Sequence, residues 1–425
     1  MFANRLRAGS GGSELVHSFL SARLPSTERT TDYLLASALS ATFAVGSWSN
    51  SAETNDSTQP IAGLRQAVPE QATMTRSDAA PGSVVRVNNF DLIRLAAAAQ
   101  VALSHGGEFL HVQLWGPMMS VLAVLPGVPI FFVISGFLIS LSWERSPSVL
   151  NYARNRVLRI YPALWVCLVV SIAIFLSAGV RPDPPYFAAW IVAQTTIGQF
   201  YNPAFLRHFG VGVLNGSLWT IPVELQFYVL LPFLALMAQK RPSRWIVLTI
   251  AAAVLMEFGR IEMIAHETLV QKLISVSVFP YLFYFLIGIS IRYLYEHWPS
   301  IFVGRALAWA IVYAVWVAIE LHFSLTGAHG NLLNIPSIVL LGMLTVSAAF
   351  TARNLSSRLL RGNDTSYGLY IYHMPILNLL IANRIGGASG FILFFVATGC
   401  AAILSWRFVE APALALKTYS VRPLA

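Results

Sequence analysis

The chain has 425 residues, 56% of them hydrophobic and 11% charged, where soluble proteins carry about 25% charged residues; that deficit excludes an ordinary soluble enzyme. Its net charge is +9, but the basic residues sit between long apolar runs, so they read as membrane-orienting charge and no nucleic-acid partner is expected.

Residues 1–85 are net −1, which leaves +10 for residues 86–425, and the composition shifts near Arg86. The stretch 50–83 is rich in Ser, Thr, Gln, Pro and Asp and has little to bury. Residues 1–85 are therefore expected to form a poorly ordered extension, within which Tyr33–Trp48 is a short apolar segment of 16 residues. Residues 86–415 follow as a membrane domain, and 416–425 as a cytoplasmic tail.

About 20 apolar residues cross a bilayer core. Taken in order, the apolar runs predict ten spans near 88–107, 118–141, 158–179, 218–238, 244–259, 273–292, 304–322, 333–351, 366–384 and 389–408. Their continuous apolarity argues for helices, because a membrane barrel would show alternating segments of roughly ten residues. The fold class expected is an all-α polytopic bundle. Arg145, Arg154, Arg156 and Arg159 face only Glu144 in the loop after the second span, which places that loop, and with it both termini, in the cytoplasm. Tyr186–Ile197 is apolar but cannot cross without inverting later loops, so it reads as a re-entrant or surface helix on the outer side. Cys167 and Cys400 both lie in apolar runs and support neither a disulfide nor a metal site.

Ionisable groups inside the hydrocarbon are costly and mark candidate sites. Arg94 and His105 are eleven residues apart in the first span, which puts them on one helix face about 16.5 Å apart along the axis. Small residues such as Ala98 and Ala102 lie between them. A snorkelling arginine and an interfacial histidine are the plain structural alternative. Arg156 and Arg159 are neighbours on one face at the inner mouth of the third span, suited to phosphate oxygens or merely to setting topology. Glu224 in GSLWTIPVELQFYVLLP is a carboxylate near the start of a long apolar helix. It has Tyr228 on its own face and Trp219 nearby, and needs a partner if it lies at depth. In the ninth span Ser366, Tyr370 and His373 share a face, followed by Pro375. An aromatic belt accounts for the tyrosines but not for His373.

Taken together, Arg94 and His105, GVPIFFVISGFLIS with Ser135, RNRVLRIYPALW, SLWTIPVELQFYVLLP, SYGLYIYHMPI and RFVEAP occur in one order across residues 86–415. This set resembles the acyltransferase-3 family of integral membrane O-acyltransferases. The resemblance implies transfer of an acyl group, commonly acetyl from acetyl-CoA, to hydroxyls of envelope or exported carbohydrates. It implies a multi-pass protein of the bacterial inner membrane and no metal. Under it, His105 is the catalytic base or nucleophile and Glu224 orients or charge-balances its imidazole. Arg156 and Arg159 hold the CoA phosphates, with Arg94 deeper in the donor path. Ser135, Trp219, Tyr228, Tyr370 and His373 serve as substrate-contacting or structural residues. A transporter or flippase of glycan-linked lipid, or a membrane sensor, would also carry ten spans and buried charges. The acceptor, the acyl chain and the oligomeric state are not legible in the residues.

Overall fold

The computed structural model describes residues 88–112, 116–145, 147–238, 241–265, 269–323, 325 and 331–418. The chain divides into Met1–Asp78 and Ala79–Ala425, and the described residues all belong to the second unit. The extension of residues 1–85 and its apolar segment Tyr33–Trp48 lie outside them.

Among the described residues every regular element is helical. In chain order they are α1 (Phe90–Phe109), α2 (Gly116–Val124), α3 (Gly127–Arg145), α4 (Val149–Ser177), α5 (Pro184–Thr195), α6 (Thr220–Ala238), α7 (Pro242–Ala265), α8 (Leu269–Ser275), α9 (Leu282–His297), α10 (Ala306–His322), α11 (Ile335–Ala349), α12 (Leu355–Leu360), α13 (Ser366–Ala382), α14 (Gly387–Ser405) and α15 (Ala411–Ala415). Each predicted run contains helix, but the run 118–141 is split between α2 and α3 and the run 273–292 between α8 and α9. Among the described residues four stretches are long and apolar enough to cross a membrane: Met118–Arg145, Val149–Ser177, Gly216–Ala238 and Gly387–Ala415. Large apolar side chains stand exposed along other helices too, among them Leu307, Ile311 and Val315 on α10 and Val247 and Val254 on α7. An apolar surface of that extent suits lipid rather than water, and the protein is a multi-pass membrane protein.

Three expected boundaries move; in the sixth run α9 starts only at Leu282, after a 3₁₀ turn at Phe279–Tyr281. The second run is broken at Leu125 and Pro126, where Gln100 of α1 holds both sides: its Nε2 donates to the Leu122 carbonyl at 2.7 Å and its Oε1 accepts from the Gly127 N–H at 2.8 Å. The third helix starts at Val149 rather than near 158, because Ser148 caps it by accepting from the Asn151 N–H. Arg154, Arg156 and Arg159 thereby ride on one rigid helix. The Tyr186–Ile197 segment becomes α5, whose 12 residues are too few to cross.

At the centre α1 packs against α3 and α13, α3 packs against α9, and α13 packs against α14 and α4. The α3–α9 contact is close enough that Gly136 lies against the Phe285 carbonyl and Gly288 against the Val133 carbonyl, with no room for a Cβ on either. Small residues permit this approach where lipid supplies no hydrophobic drive between helices. RFVEAP closes α14 in a π turn, Trp406–Glu410.

Candidate active site

The α1–α13 contact joins two histidines. His105 Nδ1 lies 3.0 Å from His373 Nε2, with the rings stacked at 14° and centroids 5.3 Å apart. The other ring nitrogen of His373, Nδ1, is 2.7 Å from the Tyr370 carbonyl. A carbonyl only accepts, so His373 carries its proton on Nδ1 and, when neutral, offers Nε2 as an acceptor. His105 must then donate from Nδ1, which leaves its Nε2 with a free lone pair. Ser217 Oγ also approaches His373 Nε2, at 3.1 Å. Tyr370 completes the network, its hydroxyl donating to the Ser217 carbonyl at 2.8 Å and lying 3.0 Å from Thr220 Oγ1.

Local sequence fixes this geometry. Pro375 has no N–H, so the Ile371 carbonyl one turn earlier lacks its helical partner. That carbonyl accepts instead from Asn215 Nδ2 at 2.7 Å and from Cys167 Sγ at 3.3 Å, which ties the loop before α6, and α4, to the histidine helix. His373 is 0% exposed, whereas His105 borders a cavity of about 480 Å³ together with Gln100, Ser104, Ser217, Trp219 and Tyr370. Trp219 is braced edge-on by Phe132 and against Tyr281.

The opposite end of α1 is ionic. Arg159 Nη2 pairs with Asp364 Oδ2 at 2.5 Å, and Arg94 Nη1 lies 3.4 Å from Asp91 and 3.8 Å from Asp364. Burial raises the Asp364 carboxyl, but Arg159, Arg94 and the Ser366 hydroxyl outweigh it and hold the group below the usual carboxylate range. The Arg156 guanidinium sits over the Tyr228 and Tyr152 rings at 5.5 and 5.9 Å, and its buried Nε has no partner among the described residues. Lys417 joins them: burial, then Arg156, Arg159 and Arg94, push its amine down to about 8. The chain after α15 is held there by Arg154, whose Nη2 donates to the Leu416 carbonyl at 2.7 Å.

Glu224 is not beside His105. It accepts from the Tyr228 hydroxyl and from Ser135 Oγ, the latter at 3.1 Å. The cause is the 3₁₀ turn Gly216–Trp219 that precedes α6: it delivers Ser217 to His373 and carries Glu224 about two turns further along, to α3 and to the tyrosine under Arg156. The expected imidazole–carboxylate pair is thus replaced by an imidazole–imidazole pair, and Glu224, Ser135 and Tyr228 group with the arginines. Ser217, Gln100, Asp91, Asp364 and Lys417 were not singled out by sequence. Ser217 stood inside the quoted SLWT stretch, and Asp364 stood two residues before the SYGLYIYH run.

Residues 87–408 match the family model described as an acyltransferase domain. The chain belongs to the acyltransferase-3 family. As a member it is an O-acyltransferase. It is 35% identical over 355 residues to nodulation protein 10 of Rhizobium leguminosarum bv. viciae, covering 78% of this chain and 94% of that protein. To the O-acetyl transferase of Shigella phage Sf6 it is 27% identical, covering 76% and 95%. To the peptidoglycan O-acetyltransferase OatA of Listeria monocytogenes it is 26% identical, covering 67% of this chain and 50% of that one. No solved structure matches.

Proposed function

We propose that this acyltransferase moves an acetyl group from acetyl-CoA to a hydroxyl of an envelope or exported carbohydrate, with His105 as the base. The observation that carries this reading is the His105–His373 contact at the wall of a large cavity. It leaves the lone pair of His105 Nε2 for an acceptor hydroxyl. His105 Nε2 takes the hydroxyl proton as the oxygen–acyl bond forms and the thioester carbon–sulfur bond breaks, then returns the proton to the departing thiolate. His373 is a positioning residue: its fixed tautomer holds His105 Nδ1–H, as the carboxylate of a catalytic triad does, without adding a buried negative charge.

The donor end suits a polyanion. Arg94, Arg156, Arg159 and Lys417 converge there, and guanidinium forks match phosphate oxygens. These residues would hold the CoA phosphates; acyl-CoA supplies the activated acyl group and a thiol leaving group. Ten spans in a bacterial inner membrane, with both termini and the arginine cluster inside, agree with the loop charges. The acceptor class is suggested by the O-acetyl transferase and peptidoglycan O-acetyltransferase relatives.

The test is acetylation of envelope glycan by cells carrying the wild type or His105→Ala. The mass increment of about 42 daltons that an acetyl ester adds should disappear in the variant, with protein abundance unchanged. Full acetylation by His105→Ala would remove the mechanism.

A further inference from the structure

Beside the histidine cavity lies a smaller one of about 120 Å³, bordered by Leu164 and Ser171 of α4, Trp190 and Gln194 of α5, and Gln199 and Asn215 of the following loop. The two cavities share Val213, Gly216 and Trp219 as a common wall. None of the described residues bordering the smaller one is charged, yet it is not an apolar void. Asn215 Oδ1 and Gln199 Oε1 are buried and have no hydrogen-bond partner among the described residues. Both residues are at least nine-tenths buried.

These oxygens cannot be exchanged for their amide nitrogens by rotating the side chains. Asn215 Nδ2 is committed to the Ile371 carbonyl, and Gln199 Nε2 to the Gln194 and Thr196 carbonyls at 3.1 and 2.8 Å. Carbonyl partners require N–H there, so the oxygens must point away from them. Two fixed acceptors in an uncharged pocket call for a neutral ligand with hydroxyl donors. Trp190 and Trp219 border the pocket, and indole rings suit the apolar C–H side of a sugar ring. The volume is well above the ~10–15 Å³ that admits one water and small enough to hold only a single ring.

We propose that the smaller cavity is a subsite for a second sugar unit of the acceptor, next to the unit acylated at His105. The proposal rests on the carbohydrate reading above. It makes the enzyme select oligomeric acceptors over single sugars by hydrogen bonds from hydroxyls to Asn215 Oδ1 and Gln199 Oε1.

The experiment uses the full chain in membranes with labelled acetyl-CoA. The acceptors are fractions of one to six units from partial hydrolysis of the source cell's own envelope glycan. The wild type should show kcat/KM at least tenfold higher for two or more units than for one. Ser171→Leu fills the cavity from α4, where the nearest partner of the Ser171 hydroxyl is Cys167 Sγ at 4.0 Å. It should bring the ratio of oligomer to single-unit kcat/KM to about one, and Gln199→Met should lower it several-fold. A wild-type ratio near one, or variants that lose activity on all lengths in proportion, would overturn the subsite while leaving the carbohydrate reading intact. Acetylation of no fraction by the wild type would overturn the carbohydrate reading and the subsite with it.

Discussion

Four cations, Arg94, Arg156, Arg159 and Lys417, meet beside Asp91 and Asp364, with Glu410 also facing Arg159, and of the four cations Lys417 is the one whose charge switches near neutral pH. Its amine is lowered to about 8, first by burial and then by the three guanidiniums, so the free enzyme loses this charge as pH rises through about 8. A polyphosphate binds the charged form better, and its affinity should therefore fall as pH rises. Between pH 7 and 9 the Kd for acetyl-CoA should increase up to about tenfold, since the protonated fraction falls by that factor across a pKa of 8. In Lys417→Arg, whose charge persists through this range, the rise in Kd should be several-fold smaller, what remains coming from other ionisable groups beside the arginines such as Glu410. Calorimetric titration of the detergent-solubilised enzyme at each pH gives the comparison, and an equal slope in both proteins would remove Lys417 from the donor site. Lys417 was hidden from the sequence reading because it lies in a short tail, where a single lysine carries no pattern. Arg94 and His105 were legible because charge inside an apolar helix has few innocent explanations. Glu224 carried the same signal but was paired with the wrong helix: spacing fixes which side chains share a face, while the neighbour that face meets is set by tertiary packing.

At the scale of elements, hydropathy located every predicted run but not the interruptions that shape the site. The break at Leu125–Pro126 is stabilised by Gln100 from another helix, a contact no local pattern encodes. The consequence of Pro375 could be read in part, since it must free the Ile371 carbonyl; which groups accept that invitation could not. The α3–α9 crossing shows the same division. Gly136 and Gly288 are 152 residues apart in the chain, and each meets backbone of the other's helix. Gly288→Ala would press a methyl group into the Val133 carbonyl, which cannot yield without separating the helices. The expected cost is on the order of 2 kcal/mol, measurable as a lower thermal midpoint in detergent. Gly399→Ala on α14 meets nothing within 4 Å and should leave the midpoint unchanged or raise it through better helix propensity. Equal midpoints for the two variants would show that the close approach contributes nothing to stability.

Across the whole molecule, α1 connects two chemically different ends. Eleven residues separate Arg94 from His105 on one continuous helix, about 16.5 Å along the axis, or roughly half the ~30 Å hydrocarbon core. If the arginine end opens to the cytoplasm, a donor anchored there by its phosphates has to extend its thioester about halfway across the membrane to meet His105. The acceptor then approaches from the far side, and the acyl group changes sides without the glycan doing so. This arrangement makes a prediction about access. On a Cys400→Ser background, where the remaining Cys167 is buried, a cysteine placed at Ser357, exposed on α12 near the arginine cluster, should react with an impermeant maleimide only after cells are opened. A cysteine at Arg207, exposed in the loop after α5, should react in intact cells. Labelling of both positions from the same side would contradict the ten-span arrangement and require the donor and acceptor to share one entrance.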